Sequence, residues 1–202
     1  SSIVRPGIET DSFHMKNYAV KSNIVLSIGA LWPFKGHEMA ISVVSRIRQD
    51  IRPALVIVAD REFPGYGDRL RKAAADLEVD LILKKRISND ELISLYNTGK
   101  AVLCCQHNEP YGLIPLEAMS CGMPVIAVNE GGFTDNIRNG GNGILVRRDP
   151  AEMAEALHNV LTDNQLRDRI ISGGLKFVVE ERSLSKTGTE LAEILSGAYS
   201  ER

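Results

Sequence analysis

Residues 109–128 read EPYGLIPLEAMSCGMPVIAV. Glu109 and Glu117 stand with seven residues between them, and Gly112 lies inside that interval. The spacing predicts a helix beginning near Leu113, with Pro115 in its first turn, feeding an apolar strand at 124–128. Acids in a core-flanking segment are costly to bury unless something pairs with them. Gly112 lets the backbone come close to a ligand. The free N–H groups at the start of the helix favour an anion. Glu109 then falls in the loop before the helix, and Glu117 about one turn inside it. Taken singly, a surface loop acid and an ordinary helix acid account for the two glutamates. Together, bracketing a glycine turn, they suit a ligand with a phosphate in the middle and hydroxyls at both ends, because carboxylates accept strong hydrogen bonds from hydroxyls.

The same alternation extends outward in both directions. Continuous apolar runs stand at 24–28 (IVLSI, closed by Gly29), 55–59 (LVIVA), 80–84 (DLILK), 101–105 (AVLCC), 124–128 (PVIAV) and 143–146 (GILV). Between them lie helical patterns. Met39, Ala40, Val43, Val44 and Ile47 form one stripe over 37–50, and a charged helix covers 68–78. Ser88 with Glu91 makes a capping box ahead of Leu92, Ile93 and Tyr96. Asp149 and Pro150 open a helix whose apolar face is Met153, Leu157, Val160 and Leu161, and the tail from Asn164 reads as helical. Uninterrupted apolar strands alternating with helices predict an α/β fold, a Rossmann-like doubly wound parallel sheet of about six strands. Ligands of such sheets bind beyond the carboxyl ends of the strands, which singles out the loops 29–36, 84–89, 106–113 and 129–135.

The loop GALWPFKG at 29–36 matches neither GxGxxG nor the P-loop pattern. A dinucleotide cofactor and P-loop phosphoryl transfer are therefore disfavoured. Gly29, Lys35 and Gly36 still lie between a strand and a helix N-terminus, where amides and a lysine suit a phosphate; a glycine turn with a solvated lysine is the plainer alternative. Gly131-Gly132 permits either a tight turn or close approach of a ligand. His107 reads as a solvated loop residue, and Trp32 as either a ligand cover or packing between domains.

Composition narrows the class further. The 202 residues carry a formal net charge of −2 with no basic block, which argues against nucleic-acid binding. Cys104, Cys105 and Cys121 lack zinc or redox spacing and read as buried thiols in a reducing compartment. No run reaches membrane-spanning length, and no signal peptide is visible. Residues 1–13, SSIVRPGIETDSF, read as a loop and not as the start of a folded unit.

EPYGLIPLEAMSCGMPVIA resembles the E-x7-E signature of retaining glycosyltransferases of the GT-B fold, the glycosyl transferases group 1. SIGALWPFKG resembles that family's glycine turn with its phosphate-binding lysine, and RISNDELISLYNTGKAVLCC its segment feeding the fourth strand. NEGGFTDNI resembles its glycine-glycine turn, with Asp135 where a glutamate is usual, and NGGNGILVRRDPAEMAEAL the strand and helix that follow. IVRPGIETDSF resembles the linker entering the C-terminal domain.

The resemblance implies the C-terminal half of a GT-B fold: a linker at 1–22, then a donor-binding domain at 23–202 with C-terminal helices, the N-terminal acceptor domain being absent from this chain. It implies transfer of a sugar from a nucleotide-diphosphate sugar with retention of configuration. Glu109 would contact the donor sugar and Lys35 the diphosphate, these two being the expected catalytic residues. Amides around Gly112, Leu113 and Ile114 would complete the phosphate cradle, the loop with Arg86 and Ile87 would sit against the base, Glu117 would hold the ribose hydroxyls, and Gly29 and Tyr111 would also belong to the donor site. No metal and no other cofactor is expected. The partners implied are the donor and a glycan, lipid or small-molecule acceptor held by the missing domain, in the cytoplasm, with peripheral membrane association through that domain as a further expectation. One departure stands out. The family usually has arginine after the first-loop glycine, where this chain has Ala30. Loss of a charged hydrogen bond worth roughly 1.5–3 kcal/mol weakens diphosphate binding by about ten- to a hundredfold unless Arg86 or the missing domain compensates. A non-catalytic nucleotide- or protein-binding module is the alternative, and a GT-B-like epimerase or pyridoxal-dependent phosphorylase a third. The isolated chain is expected to be catalytically silent, since half a cleft neither excludes water nor positions an acceptor.

Overall fold

The computed structural model describes residues 4–16 and 22–200, with side chains as far as residue 196. Six strands form one sheet in the order β3-β2-β1-β4-β5-β6, every pair parallel. They are β1 (Ile24–Ile28), β2 (Ala54–Ala59), β3 (Leu81–Lys85), β4 (Ala101–Cys104), β5 (Val125–Val128) and β6 (Ile144–Val146). The helices are α1 (His37–Ser45), α2 (Tyr66–Asp76), α3 (Asn89–Thr98), α4 (Leu113–Ser120), α5 (Phe133–Asn136), α6 (Pro150–Thr162), α7 (Asn164–Glu181) and α8 (Leu184–Ser200). The expected doubly wound α/β architecture is the one formed.

The physical reason is the burial of the central strands. Val25, Leu26, Leu55, Ile57, Val102, Leu103, Val125 and Ile126 have no exposed surface. Their β-branched and leucine side chains fill both faces of the sheet. α1 packs with α2 and α6, and α4 with α7, so helices cover both sides. β3, at the edge, is the least buried strand, and Ile82 is left exposed. The register Val25↔Leu55 on one side of β1 and Val25↔Ala101 on the other places the reversal of strand order between β1 and β4. At such a switch point neighbouring loops diverge and leave a crevice at the carboxyl ends.

Element ends depart from the sequence pattern where caps decide. The first helix stops at Ser45 and not near residue 50. Arg52 reaches back with Nη2 to the Ser45 carbonyl at 2.7 Å and with Nε to the Ile47 carbonyl at 2.9 Å, satisfying groups a longer helix would have bonded itself. Ile47 keeps its place in the core regardless. α2 starts at Tyr66, earlier than the charge pattern indicates, because Gly65 supplies a left-handed cap and Glu62 Oε1 accepts from the Gly67 N–H at 2.8 Å. Ser88 and Asp149 cap α3 and α6 as expected, accepting from the Glu91 and Ala151 amides. The glycine-glycine turn leads into the short helix α5, which the sequence reading missed.

The entering segment is irregular, as read, yet docked. Ile8 is buried and bridges the break between α7 and α8, donating to the Arg182 carbonyl at 2.7 Å and accepting from Leu184 at 2.9 Å. Further along, Ser120 Oγ donates to the Phe13 carbonyl, and Asn97 accepts from Lys16 N and donates to the His14 carbonyl. None of Cys104, Cys105 and Cys121 is in a disulfide, all three are completely buried, and burial pushes the Cys105 thiol up to about 12.

Gly36 is a sensitive position. Its φ is 72°, and a Cβ there would lie 2.1 Å from the Cys105 carbonyl oxygen. Gly36→Ala combines a left-handed backbone penalty with a clash against backbone, so it should cost at least about 3 kcal/mol of unfolding free energy, read by urea denaturation.

Candidate functional site

The first loop is shaped from below. His37, the first residue of α1, is fully buried. Its Nδ1 lies 2.8 Å from Ser27 Oγ, and its Nε2 lies 3.2 Å from both the Gly29 and Ala30 carbonyls. Two carbonyls can only accept, so Nε2 carries the proton and Nδ1 accepts from the serine hydroxyl. Burial pushes the imidazole down to about 4, and Lys35 adds to that against the carbonyls' opposing pull. On the other side of the turn, Gln106 Nε2 donates to the Ile28 carbonyl at 2.8 Å. The loop is thus clamped with its carbonyls turned into the protein.

Lys35 ends a short 3-10 turn, Pro33–Lys35, and its side chain lies along Gly29, where a Cβ would meet Lys35 Cδ at 3.3 Å. Lys35 Nζ is 3.1 Å from Glu109 Oε2, and both side chains are mostly buried, at 24% and 19% exposure. A pair this shielded is coupled more strongly than a surface bridge. The lysine is therefore neither solvated nor unpartnered, and the first of the two costly acids has its counter-charge.

Gly112 is the N-cap of α4 at φ 81°, with no side chain to cap the first-turn amides of Leu113 and Ile114. Those amides and the positive end of the helix dipole open beyond β4. Glu117 lies four residues further, on the face of Leu113 and about 6 Å along the axis. Tyr96, from α3, is fully buried and donates its hydroxyl to Glu117 Oε2 at 2.7 Å. Burial raises the Glu117 carboxyl, and the Tyr96 hydrogen bond opposes that rise. Burial raises the thiol of Cys104, the last residue of β4, and the charges of Cys105, Glu109 and Glu117 add to the rise. Glu109, in the loop leaving β4, and Glu117, one turn inside α4, thus flank the Gly112 turn beyond that strand.

Gly131 and Gly132 are packing glycines. Cβ atoms at these positions would lie 2.5 Å from the Glu109 carbonyl oxygen and 2.5 Å from Tyr111 Cα, so they let the loop after β5 press on the loop after β4. Gly132 N donates to the Glu109 carbonyl at 2.7 Å, and Asn136 Nδ2 to the Tyr111 carbonyl at 2.7 Å. Arg148 holds the same loop from the far side, bonding the Cys105 and Gln106 carbonyls while pairing twice with Glu130, at 2.9 and 2.7 Å. That pairing keeps the Glu130 carboxyl below its usual range.

The remaining expected residues fall in different places. Arg86 and Ile87 line a cavity of about 220 Å³ together with Gly29, Val58 and Asp60, so Arg86 shares that cavity with the glycine turn. The Tyr111 hydroxyl is engaged by the Pro6 carbonyl of the entering segment, which places it on the linker side. Trp32 is 39% exposed and joins Phe34 and Phe63 in an aromatic row, with ring centroids 5.7 and 5.8 Å away. His107 is exposed, and Asp135 is exposed with Arg5 Nε at 4.0 Å. Tyr96, His37, Gln106, Asn136 and Arg148 were not anticipated. The only signal for Tyr96 was a hydroxyl on an apolar helix face, where a buried phenol requires a partner. Among the described residues, no group of three histidines, cysteines or acids could hold a metal ion, and no helix is long and apolar enough to cross a membrane.

This crevice and sheet define a class, and comparison with known proteins gives the family. The chain belongs to the glycosyl transferases group 1, which it matches over residues 10–177. It is 31% identical over 192 residues to the D-inositol 3-phosphate glycosyltransferase of Acidothermus cellulolyticus, covering 86% of this chain and 43% of that protein. The chain spans less than half the length of the curated relatives it matches. Anabaena HepE, in complex with UDP and glucose, superposes with a TM-score of 0.86 at 20% identity, covering 95% of this chain and 55% of that one. The C-terminal domain of a glycosyl transferase group 1 family protein (LpcC) from Francisella tularensis is matched over 100% of its length and 88% of this chain, at TM-score 0.78 and 22% identity.

The buried imidazole gives a pH prediction. Its folded value of about 4 is below the 6.5 of an exposed histidine, so the unfolded chain takes up the proton first. The stability associated with neutral His37 is fully present above the unfolded value and is lost as pH falls through the window between the two. The loss approaches about 3 kcal/mol. Urea titrations across that window should show wild type losing more stability than His37→Gln.

Proposed function

We propose that this chain is the donor-binding domain of a retaining glycosyltransferase, with a second domain of the whole protein supplying the acceptor site. The pairing of Lys35 with Glu109 in the loop after β4, next to the uncapped Gly112 turn and Glu117 on α4, carries the reading. Lys35 and the α4 amides meet the diphosphate, Glu109 the sugar, and Glu117 the ribose. The cavity beside Arg86 takes the base, and Arg86, which lines the same cavity as Gly29, supplies the charge that Ala30 does not. Relatives named as glycosyltransferases and a structural neighbour that binds UDP and glucose support this assignment. The entering segment, tied along α3, α4 and α8, serves in this reading as the interdomain linker.

The chemistry follows from charge. As the sugar leaves, negative charge grows on the diphosphate, and fixed positive groups aimed there lower the barrier. Lys35 and the helix N-terminus supply that charge, which is the basis for proposing a metal-independent reaction. The chain's three reduced, buried cysteines suit the cytoplasm, and membrane association, where it occurs, belongs to the further domain. Lys35 is paired with Glu109, so an incoming diphosphate competes with that carboxylate for the ammonium.

Calorimetric titration with UDP, GDP and ADP tests the assignment: one should bind, and no binding by a folded chain up to millimolar levels defeats it. Lys35→Ala should weaken the preferred diphosphate about ten- to a hundredfold. Glu109→Gln should separate two ligands. It removes a competing anion, so the free diphosphate binds as well or better, whereas the nucleotide sugar binds more weakly. Equal weakening of both would contradict the sugar-side role of Glu109.

A further inference from the structure

We infer that Tyr96 is a positioning residue for ribose recognition, holding the Glu117 carboxylate in the orientation that accepts the two ribose hydroxyls. This rests on the reading that Glu117 meets the ribose. Tyr96 belongs to α3, has no exposed surface, and spends its one hydroxyl proton on Glu117 Oε2 at 2.7 Å. A carboxylate offers about four acceptor positions on two oxygens. The phenol takes one, leaving Oε1 and the second lone pair of Oε2 for a diol. A glutamate side chain otherwise rotates freely, and its ordering entropy would be charged against every binding event. Here one bond fixes it in advance.

The phenol is itself held. Its ring packs edge-on against Phe13 of the entering segment, with centroids 6.2 Å apart. Ser120 bonds the Phe13 carbonyl, and Asn97, next to Tyr96, bonds the His14 carbonyl. The segment that enters the domain therefore closes one side of the pair against water. The titratable groups facing the pair are the thiols of Cys104 on β4 and Cys121 after α4, with Glu109 beyond Cys104. None of them is a cation, so Tyr96 is the group that favours the charged form of Glu117 against burial.

Removing the phenol hydroxyl should then have two linked effects. Glu117 loses its fixed orientation, and it takes up a proton at higher pH because only burial remains. A protonated carboxyl keeps a proton of its own and accepts less well.

The test compares UDP with UDP lacking both ribose hydroxyls, by calorimetry on the full chain, from neutral to mildly acidic pH. Wild type should prefer UDP by about ten- to a hundredfold. Tyr96→Phe should lose most of that preference while binding the dideoxy ligand unchanged, and its UDP affinity should begin to fall at higher pH. In a Glu117→Gln background, Tyr96→Phe should have little further effect on UDP. Equal weakening of both ligands, or the same loss with and without Glu117, assigns Tyr96 a structural role only and overturns the inference. Retained preference with an unshifted pH limb in Tyr96→Phe overturns it while leaving the ribose reading intact. A wild type that binds both ligands equally defeats the ribose reading and the inference with it.

Discussion

The way β1 ends constrains everything at the carboxyl edge of the sheet. Three successive carbonyls, of Ile28, Gly29 and Ala30, emerge at the switch point with protein beneath them. Each accepts from a buried side chain: Gln106 holds the first, and His37 holds the other two. Unpaired, such carbonyls would cost on the order of 1–3 kcal/mol each. Paired, they fix the turn so firmly that Lys35 follows it back over Gly29 to Glu109. The neutral imidazole matters here, because a single N–H placed between two acceptors leaves its other nitrogen free to accept from Ser27.

The second constraint is the placement of negative charge near a core. Glu109 and Glu117 are treated differently. The first meets a cation, and the second meets a neutral donor inside a shell of aromatic rings and thiols. The Lys35–Glu109 contact is an ion pair between two mostly buried groups, whereas the Tyr96 phenol takes one acceptor position of Glu117 and leaves the others open. In the proposed function, the first contact is the one an incoming diphosphate would exchange, and the second is the one that would persist.

The sheet was readable in the sequence because its strands are uninterrupted β-branched and leucine runs, and nothing but burial on both faces explains IVLSI beside LVIVA. Caps were readable where a side chain makes them, at Ser88 and Asp149. Ends set by distant groups were not: Arg52 stops α1 from seven residues beyond Ser45, and no local pattern encodes that. The chain's own acids, glycine turn and lysine were legible as candidate site residues by their positions in the strand-to-helix loops and the first turn of the helix that follows. Their partners were hidden, because Tyr96 looks apolar on a helical wheel and His37 looks like an ordinary first-turn residue. Gly131 and Gly132 read equally as a tight turn or as room for a ligand, and in the structure their missing side chains admit the backbone of Glu109 and Tyr111. The entering segment reads as loop by composition and is one by conformation, but its carbonyls are spoken for by α3, α4 and α8.

The cysteines have a practical consequence. Cys104, Cys105 and Cys121 are enclosed on all sides, and burial disfavours the thiolate of the first two. Thiolate, not thiol, is the reactive form. The folded chain is therefore silent toward maleimides and iodoacetamides without any native cysteine being replaced. A single cysteine introduced at an exposed site, such as Phe63 beside the aromatic row, becomes the sole address for a fluorophore or spin label. The same enclosure makes the native thiols an internal gauge of integrity, since any of them that reacts marks a molecule whose sheet has opened.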